Sequence, residues 1–410
     1  MAPCRTTEQR CYSLEYHDTV PKLSSTIRKG RPLSSKTVLL LGGFAPGQSQ
    51  WSIQQGFEAA GYRVIYTPSR GCIAANRAAD IELAKEEADL IPPLETWDLR
   101  YPDAAAYEEG LAQLIQEHEP AMLLWWFSKD DCPAGLITSL RQRFPWLKTV
   151  THTQDDPWDA LRHPEFSEEF EFVVTCCKES VHVYRDRGIQ AIVLYPPPAR
   201  QLHGVAQPAE HESCDFSVTI LSIYARADSD GSAYLASADP VERITHPIGF
   251  PDQRVLRHEV VATIGEIGRT HIYGGLGFGT FPGIPRSCYR GFRTYRELPG
   301  IYRATKININ QHNSPRSHGY LNQRDTAITG AGGFMLTDYV EGIEEEFDIG
   351  TEIDTWETLD ELRDKAEWWL RHDDERRAAG LAAQQRVMAR YGNDAYVDRL
   401  VAFIADPGAS

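Results

Sequence analysis

The sequence has no long apolar run, no excess of basic residues and no framework of paired cysteines. None of its apolar stretches approaches the roughly 20 residues of a membrane-spanning helix, and the first 35 residues are polar, without the apolar core of a signal peptide. The net charge of −16 argues against binding along a nucleic-acid backbone, because phosphate contacts need clustered Lys and Arg. The eight cysteines show neither metal-site spacing nor the density of a secreted disulfide scaffold. These absences indicate a cytoplasmic protein with reduced thiols.

Two glycine-rich segments lack the residues that define common nucleotide motifs. The loop at residues 42–47 departs from the dinucleotide-binding fingerprint, and its Pro46 disrupts the expected start of a helix. Residues 273–279 are not followed by the Lys-Ser/Thr pair of a P-loop. We therefore expect neither an NAD site nor an ATP site. Gly43 and Phe44 are predicted instead to line a ligand pocket.

Apolar strands and amphipathic helices alternate along most of the chain. An apolar run at residues 37–41 is followed by helical spacing and a second apolar run at 62–66, and the alternation continues to residue 195. The strands lack a polar face, which is typical of strands covered by helices on both sides. This pattern predicts a doubly wound parallel α/β sheet. Three consecutive prolines at 196–198 then end the pattern and predict a stiff linker.

A second α/β half begins near residue 215, with strands predicted around 270–273, 307–309 and 333–338. A chain of 410 residues is too long for one ordinary core, so two Rossmann-like domains with a ligand cleft between them are expected. The predicted organisation is a polar arm at 1–35, an N-terminal domain at 36–198, a C-terminal domain at 199–393 and a last helix within 394–410 that packs back on the first domain.

Residues 303–347 carry the pattern of a phosphate-binding crevice. An apolar strand, a polar loop with a glycine, a short helix and a second strand follow one another, as at the carboxyl edge of an open α/β sheet. The loop combines Gly319, which permits close backbone approach, with amides before a helix and the guanidinium groups of Arg316 and Arg324. A diphosphate needs that combination. A glycine-containing turn with solvated arginines is the alternative explanation of the same residues.

Several motifs of the second half carry a resemblance to a known family. They are the segments 289–291, 301–310, 319–324, 332–339 and 347–350, together with His312. In the first half, Thr153-Gln-Asp-Asp-Pro-Trp158 is similar to an Asp-Asp-Pro-Trp element of the same family. The chain resembles glycosyltransferases of the spore-maturation-protein (CgeB-like) type. The resemblance implies the GT-B fold, in which two Rossmann-like domains face a cleft, with the nucleotide-sugar donor on the C-terminal domain and the acceptor on the N-terminal one. Gly43 and Phe44 would then line the acceptor pocket.

The resemblance also implies which residues bind the donor. Asn322, Arg324 and the backbone of Gly319, Tyr320 and Leu321 would hold the diphosphate, with Arg316 as a helper. The other implied donor contacts are Tyr224, Arg226, Gly274 and His312. Family members usually have an acidic residue three positions after the equivalent of Arg324, where this chain has Ala327. Asp325 is a poor substitute, because it lies about 200° around the helix from that position.

A second group of polar residues follows the strand predicted at 148–152. His152 ends this strand, and Asp155 and Asp156 follow in one loop, at the cleft edge of the predicted topology. A histidine or a carboxylate at the cleft can accept the proton of an acceptor hydroxyl. The alternative is structural, with His152 as a polar strand end and the aspartates as caps of a turn or helix that starts at Pro157. Adjacent carboxylates point apart, so no metal site is predicted.

The implied function is transfer of a sugar from a nucleoside diphosphate donor to a hydroxyl or amine of a small acceptor, such as a specialised metabolite. No cofactor or metal is expected, and the partners are the nucleotide sugar and the acceptor, with no nucleic acid. Two alternatives stay open. One is a binding protein of the same fold that has lost activity, for which Ala327 is the main argument, and the other is a sugar-nucleotide epimerase. The sequence does not indicate the oligomeric state.

Overall fold

A computed structural model of the protein describes residues 35–42, 49–68, 103–126, 132–153, 156–162, 164–220, 257–274, 285–291 and 293–409. The first half of these residues forms a parallel sheet of six strands in the order β2-β1-β3-β4-β5-β6. The strands are β1 (Thr37–Gly42), β2 (Arg63–Pro68), β3 (Met122–Trp126), β4 (Lys148–Thr153), β5 (Phe172–Thr175) and β6 (Gln190–Val193). Every residue of β3 and β5 is buried, as the apolar runs predicted.

Helices alternate with these strands. They are α1 (Ser49–Ala59), α2 (Ala104–His118), α3 (Leu136–Arg143), α4 (Trp158–Arg162), α5 (Pro164–Glu168) and α6 (Lys178–Asp186). The side chain of Asp103 caps α2 by accepting a hydrogen bond from the backbone of Ala106. Apolar side chains of α2 and α3 pack on one face of the sheet.

The second half forms another six-stranded parallel sheet in the order β12-β11-β10-β7-β8-β9. Its strands are β7 (Phe216–Ile220), β8 (Thr270–Gly274), β9 (Tyr289–Gly291), β10 (Ile307–Asn310), β11 (Met335–Asp338) and β12 (Asp354–Trp356). Its helices are α7 (Arg257–Ile267), α8 (Leu298–Ala304), α9 (Gln323–Gly330), α10 (Leu359–Arg371), α11 (Asp373–Tyr391) and α12 (Asn393–Ala405). The order of the strands reverses between β7 and β10, so the carboxyl ends of these two strands mark the topological switch point where ligands bind in open α/β sheets.

The final helix, α12, packs on the N-terminal sheet. Its Val397, Leu400 and Phe403 are buried in one cluster with apolar residues of β1, β3 and α1. Helix α1 crosses α12 at Gly56, where a Cβ atom would lie 2.4 Å from the carbonyl oxygen of Asn393. The chain therefore crosses between the two halves twice, once after β6 and once before α12. None of the described helices is long and apolar enough to cross a membrane.

Candidate functional site at the carboxyl edge of the second sheet

Arg324 joins the two strands at the switch point of the second sheet. Its Nε donates to Asn310 Oδ1 at 2.8 Å, its Nη1 to the carbonyl of Thr219 at 3.1 Å and its Nη2 to the carbonyl of Gln311 at 2.9 Å. Thr219 belongs to β7, whereas Asn310 and Gln311 end β10 and begin the following loop. Within the described residues, three of the five N–H groups of the guanidinium are used in this way, which leaves two for a ligand. The half-buried side chain is thus fixed at the position where a doubly wound sheet binds its ligand.

Asn322 is the N-cap of α9 and supports Arg324. Its Oδ1 accepts a hydrogen bond from the Arg324 amide at 2.8 Å, and its Nδ2 donates to Asn310 Oδ1 at 3.4 Å. Asp325 completes a capping box, because its Oδ2 accepts from the Asn322 amide at 2.7 Å. The two side chains predicted to grip the diphosphate therefore lie together on the first turn of a helix that starts at the sheet edge.

His312 lies buried beneath this surface between two carboxylates. Its Nε2 is 2.8 Å from Asp325 Oδ2 and its Nδ1 is 2.7 Å from Asp338 Oδ1, at the end of β11. Burial alone would lower the pKa of His312, but the Asp325 and Asp338 carboxylates outweigh it and raise the pKa to about 9. The ring is fully buried and both of its nitrogens face carboxylates, so contact between His312 and the donor stays a prediction.

Arg257 is a further cation at the site that the sequence reasoning did not single out. It is the first residue of α7 and is buried, and its Nη2 lies 3.4 Å from the carbonyl of Gln311 and 3.3 Å from Asn313 Oδ1. The guanidinium groups of Arg257 and Arg324 therefore converge on one carbonyl oxygen. Arg257 lies outside the segment 303–347 that carries the pattern of a phosphate-binding crevice, so that pattern gives no signal for it.

The backbone amides predicted to receive the diphosphate are engaged within the protein. The amide of Gly319 donates to the carbonyl of Glu341, that of Tyr320 to Ser317, that of Leu321 to Cys176 and that of Asn322 to the Asp325 side chain. The side chains of Tyr320 and Leu321 are buried. In this arrangement the three amides already donate to protein acceptors, and donor binding by Gly319, Tyr320 and Leu321 stays a prediction.

The close approach predicted at Gly319 is made by the other half of the protein. The backbone of Gly319 has a φ of +64°, and a Cβ atom there would lie 2.5 Å from the Cγ and Cδ atoms of Lys178, in α6. The hydroxyl of Tyr195 donates to the carbonyl of Gly319 at 2.9 Å. The Lys178 ammonium in turn lies 2.7 Å from Glu345 and 2.5 Å from Glu346 of the second half. The loop at 317–321 thus joins the two halves.

His152 and Asp156 are buried in the first half. The His152 ring is 2 % exposed and stacks on Trp126 with ring centroids 3.7 Å apart, and burial lowers the pKa of His152 to about 3. Asp156 is 1 % exposed and accepts hydrogen bonds from the hydroxyls of Thr153, Thr175 and Tyr184 and from the amide of Ala160. Burial raises the pKa of Asp156 against the effect of these hydrogen bonds. These contacts agree with the structural alternative for both residues, and contact with an acceptor stays a prediction.

Two other predicted donor contacts lie at the surface of the second half. Gly274 ends β8, directly beside Ile220 at the end of β7, and its carbonyl accepts a hydrogen bond from the Tyr289 hydroxyl. Arg316 is exposed. Asp155, Tyr224, Arg226, Gly43 and Phe44 lie outside the described residues, and their roles stay predictions.

Several solved structures share this architecture. HepE from Anabaena in complex with UDP-glucose superposes with a TM-score of 0.57 at 10% identity, covering 90% of this chain and 99% of that one. Sucrose-phosphate synthase from Thermosynechococcus elongatus gives a TM-score of 0.56 at 11% identity, covering 91% of this chain and 99% of that one. UDP-N-acetylglucosamine 2-epimerase from Rickettsia bellii gives 0.53 at 10% identity, covering 91% and 97%.

The chain has the GT-B fold. Residues 254–402 also match the model of a family described as glycosyl transferase-like, which covers less than half of the chain but includes Arg257, Asn322 and Arg324. No curated protein matches the sequence. The match is to the broad family, so the narrower CgeB-like resemblance stays a prediction. Among the described residues of this GT-B chain, no group of three or more His, Cys, Asp or Glu side chains could hold a metal ion.

Proposed function

We propose that this GT-B protein is a glycosyltransferase that takes a sugar from a nucleoside diphosphate donor, with a UDP-sugar as the first candidate. The acceptor would be a hydroxyl or amine of a small molecule such as a specialised metabolite, and the reaction would take place in the cytoplasm. The observation that carries the proposal is the fixed guanidinium of Arg324 at the switch point between β7 and β10. The match of residues 254–402 to a glycosyl transferase-like family and the UDP-glucose bound to HepE support it.

The chemistry of the proposed reaction suits two converging arginines. As the bond from the sugar to the diphosphate breaks, negative charge grows on the leaving phosphate oxygens. Arg324 and Arg257 would stabilise that charge by charge-assisted hydrogen bonds, because a guanidinium presents paired N–H groups to phosphate. Fixed cations of this kind can replace a metal ion as the source of positive charge. We therefore propose that transfer is metal-independent.

Release of nucleoside diphosphate tests this proposal. The protein would be incubated with a panel of nucleotide sugars, with and without candidate acceptors, in the presence of EDTA. We expect diphosphate release with one donor, stimulated by an acceptor and reduced at least tenfold in Arg324→Ala. Arg377→Ala is the matched control, because Arg377 is a largely exposed arginine of α11. The proposal fails if no donor is turned over and no nucleoside diphosphate shifts the melting temperature.

A sugar-nucleotide epimerase is the second candidate, favoured by the shared fold of the Rickettsia bellii 2-epimerase. An epimerase needs no acceptor and changes the sugar while the product remains a nucleotide sugar. Analysis of the sugar in the same incubations separates the two activities. A protein that binds the diphosphate, yet neither releases it nor changes the sugar, would be an inactive relative, as Ala327 suggests.

A further inference from the structure

A chain of buried and partly buried hydrogen bonds connects His312 to Arg324. His312 Nε2 faces Asp325 Oδ2 at 2.8 Å, and the other carboxylate oxygen of Asp325 accepts from Asn310 Nδ2 at 2.8 Å. The Oδ1 atom of Asn310 then accepts from Arg324 Nε at 2.8 Å. Each link is directional, since a carboxylate only accepts and a guanidinium only donates. The amide of Asn310 must therefore turn its NH₂ to Asp325 and its oxygen to Arg324.

We infer that His312 is a positioning residue for Arg324, acting through Asp325 and Asn310 without touching the donor. The effect on donor binding rests on the proposed function. The coupling between His312 and Arg324 does not, because the hydrogen bonds are present without a ligand. His312 holds the Asp325 carboxylate in one orientation, and the Asp325 carboxylate fixes the Asn310 amide. The fixed amide oxygen then sets the plane of the guanidinium.

The surroundings of the ring explain why its charge matters. Among the described residues, the groups that face it include the Asp325 carboxylate from α9, the Asp338 carboxylate from β11, the Tyr320 side chain and the Thr337 hydroxyl at 3.4 Å. A charged ring donates to both carboxylates, whereas a neutral ring donates to only one of them. The two carboxylates raise the pKa of His312 to about 9, against the opposing effect of burial. The ring is therefore charged near neutral pH, and loss of its proton leaves Asp325 or Asp338 without one donor.

The coupling can be measured in the protein without ligand or substitution at His312. Arginine labelled with ¹³C and ¹⁵N gives Nε–Cζ correlations that do not depend on a slowly exchanging proton, and Arg324→Lys assigns the Arg324 signal. We expect this signal to move with a midpoint near the His312 pKa of about 9, in step with the His312 ring signals. An Arg324 signal that stays constant while His312 titrates overturns the inference. Because no ligand is involved, this result does not depend on whether the protein binds a nucleotide.

A double-mutant cycle on UDP affinity tests the consequence for binding. We expect His312→Gln and Arg324→Ala each to raise the Kd for UDP about tenfold in calorimetry. The Kd of the double variant should exceed that of either single variant by less than about twofold, because the effects of residues in one network are not additive. The inference is overturned if the increase in Kd of the double variant equals the product of the two single increases. It is also overturned if a folded His312→Gln variant binds UDP with unchanged affinity. Absence of UDP binding by the wild type would instead count against the proposed function. If His312→Gln does not fold, the pH titration of the Arg324 signal in the wild-type protein still tests the inference.

Discussion

The side chain of Lys178 lies against the backbone of Gly319, across the junction between the two halves of the protein. A Cβ atom on residue 319 would meet three carbon atoms of this lysine at 2.5 to 2.9 Å, and the lysine is held by Glu345 and Glu346. The contact means that the loop beside the candidate donor site also fixes the relative position of the two sheets. The sequence around Gly319 suggests that a glycine is needed there to admit a diphosphate. In the structure, the glycine leaves room for the side chain of Lys178.

Gly319→Ala should therefore destabilise the protein by more than its backbone conformation alone would. A left-handed backbone costs a non-glycine residue roughly 1–2 kcal/mol, and overpacking against Lys178 should add about 1–3 kcal/mol. Urea unfolding gives the measurement. Gly350→Ala is the control, since Gly350 has a φ of +86° and nothing within 4 Å of the added Cβ. Equal losses in the two variants would show that the approach of Lys178 is unimportant.

Gly56→Ala should destabilise the packing of α1 on α12. Alanine normally stabilises a helix interior by about 1 kcal/mol relative to glycine. At Gly56 the added Cβ would lie 2.4 Å from the Asn393 carbonyl oxygen and 2.9 Å from Val397 Cγ2, so the helices must separate. We expect a net loss of about 1–3 kcal/mol in urea unfolding. Gly265→Ala, in α7 with nothing within 4 Å, should instead be neutral or stabilising. A stabilised Gly56→Ala would contradict the close crossing.

Asp156→Asn separates a structural role from a catalytic one. The Asp156 carboxylate accepts from three hydroxyls and the Ala160 amide, and an asparagine side chain would turn an NH₂ group toward some of these donors. We expect a loss of about 1–3 kcal/mol in stability, because buried donors lose their acceptor. The Kd for UDP should not change. A catalytic role would appear as a large fall in kcat with an unchanged melting temperature.

Much of the fold could be predicted from the sequence because its strands are buried on both faces. The apolar runs at β1, β3 and β5 and the alternation with helices select a doubly wound sheet, and the structure has two of them. The placement of Asn322 and Arg324 at the start of a helix at the sheet edge also follows from local pattern. The type of sheet and the start of this helix both depend on residues that are close together in the sequence.

The contacts that the sequence could not predict are those between distant segments. Lys178 and Gly319 are far apart in the chain, and a glycine that admits a phosphate has the same local sequence as one that admits a lysine. His152 looks polar at a strand end, but Trp126 from the neighbouring strand covers its ring. Asp156 was open to either a cap or a catalytic role, and the Ala160 amide and three hydroxyls favour the cap. Burial of a polar group depends on its spatial neighbours, which local pattern does not contain.

Two buried histidines should make the protein less stable in acid. Burial lowers the pKa of His152 to about 3 and that of His203 to about 4, from an ordinary value of 6.5. Below pH 6.5 the unfolded chain therefore binds protons that the folded protein does not, so stability falls as the pH drops from 6.5 toward these values. Each histidine should contribute about 1.4 kcal/mol per pH unit within this window.

The histidine prediction can be checked by urea unfolding at several pH values. His203→Gln should reduce the slope of the free energy of unfolding against pH by about 1.4 kcal/mol per pH unit, whatever its effect on stability at neutral pH. His211→Gln is the control, because His211 is exposed. His312 should act in the opposite direction, since its raised pKa of about 9 gives stability that is complete below pH 6.5 and is lost as the pH rises through 9. An unchanged slope in His203→Gln would contradict the prediction.

Arg257→Ala should weaken binding of UDP if the second guanidinium belongs to the donor site. Arg257 and Arg324 both donate to the carbonyl of Gln311, so a diphosphate beside one lies within reach of the other. We expect the Kd from calorimetry to rise about tenfold in Arg257→Ala, and Arg257→Lys to recover only part of the loss, because lysine keeps the charge without the planar fork.

The control for Arg257 must also be a buried arginine. Arg376 in α11 is 4 % exposed and donates to the Trp369 carbonyl, away from the sheet edge. Arg376→Ala should lower the melting temperature and leave the Kd unchanged. If Arg257→Ala also lowers only the melting temperature, Arg257 is a structural link between α7 and the loop at 311–313. Arg324 would then be the arginine left to meet a leaving diphosphate, and the predicted donor contacts Arg316 and Arg226 would be the next residues to substitute.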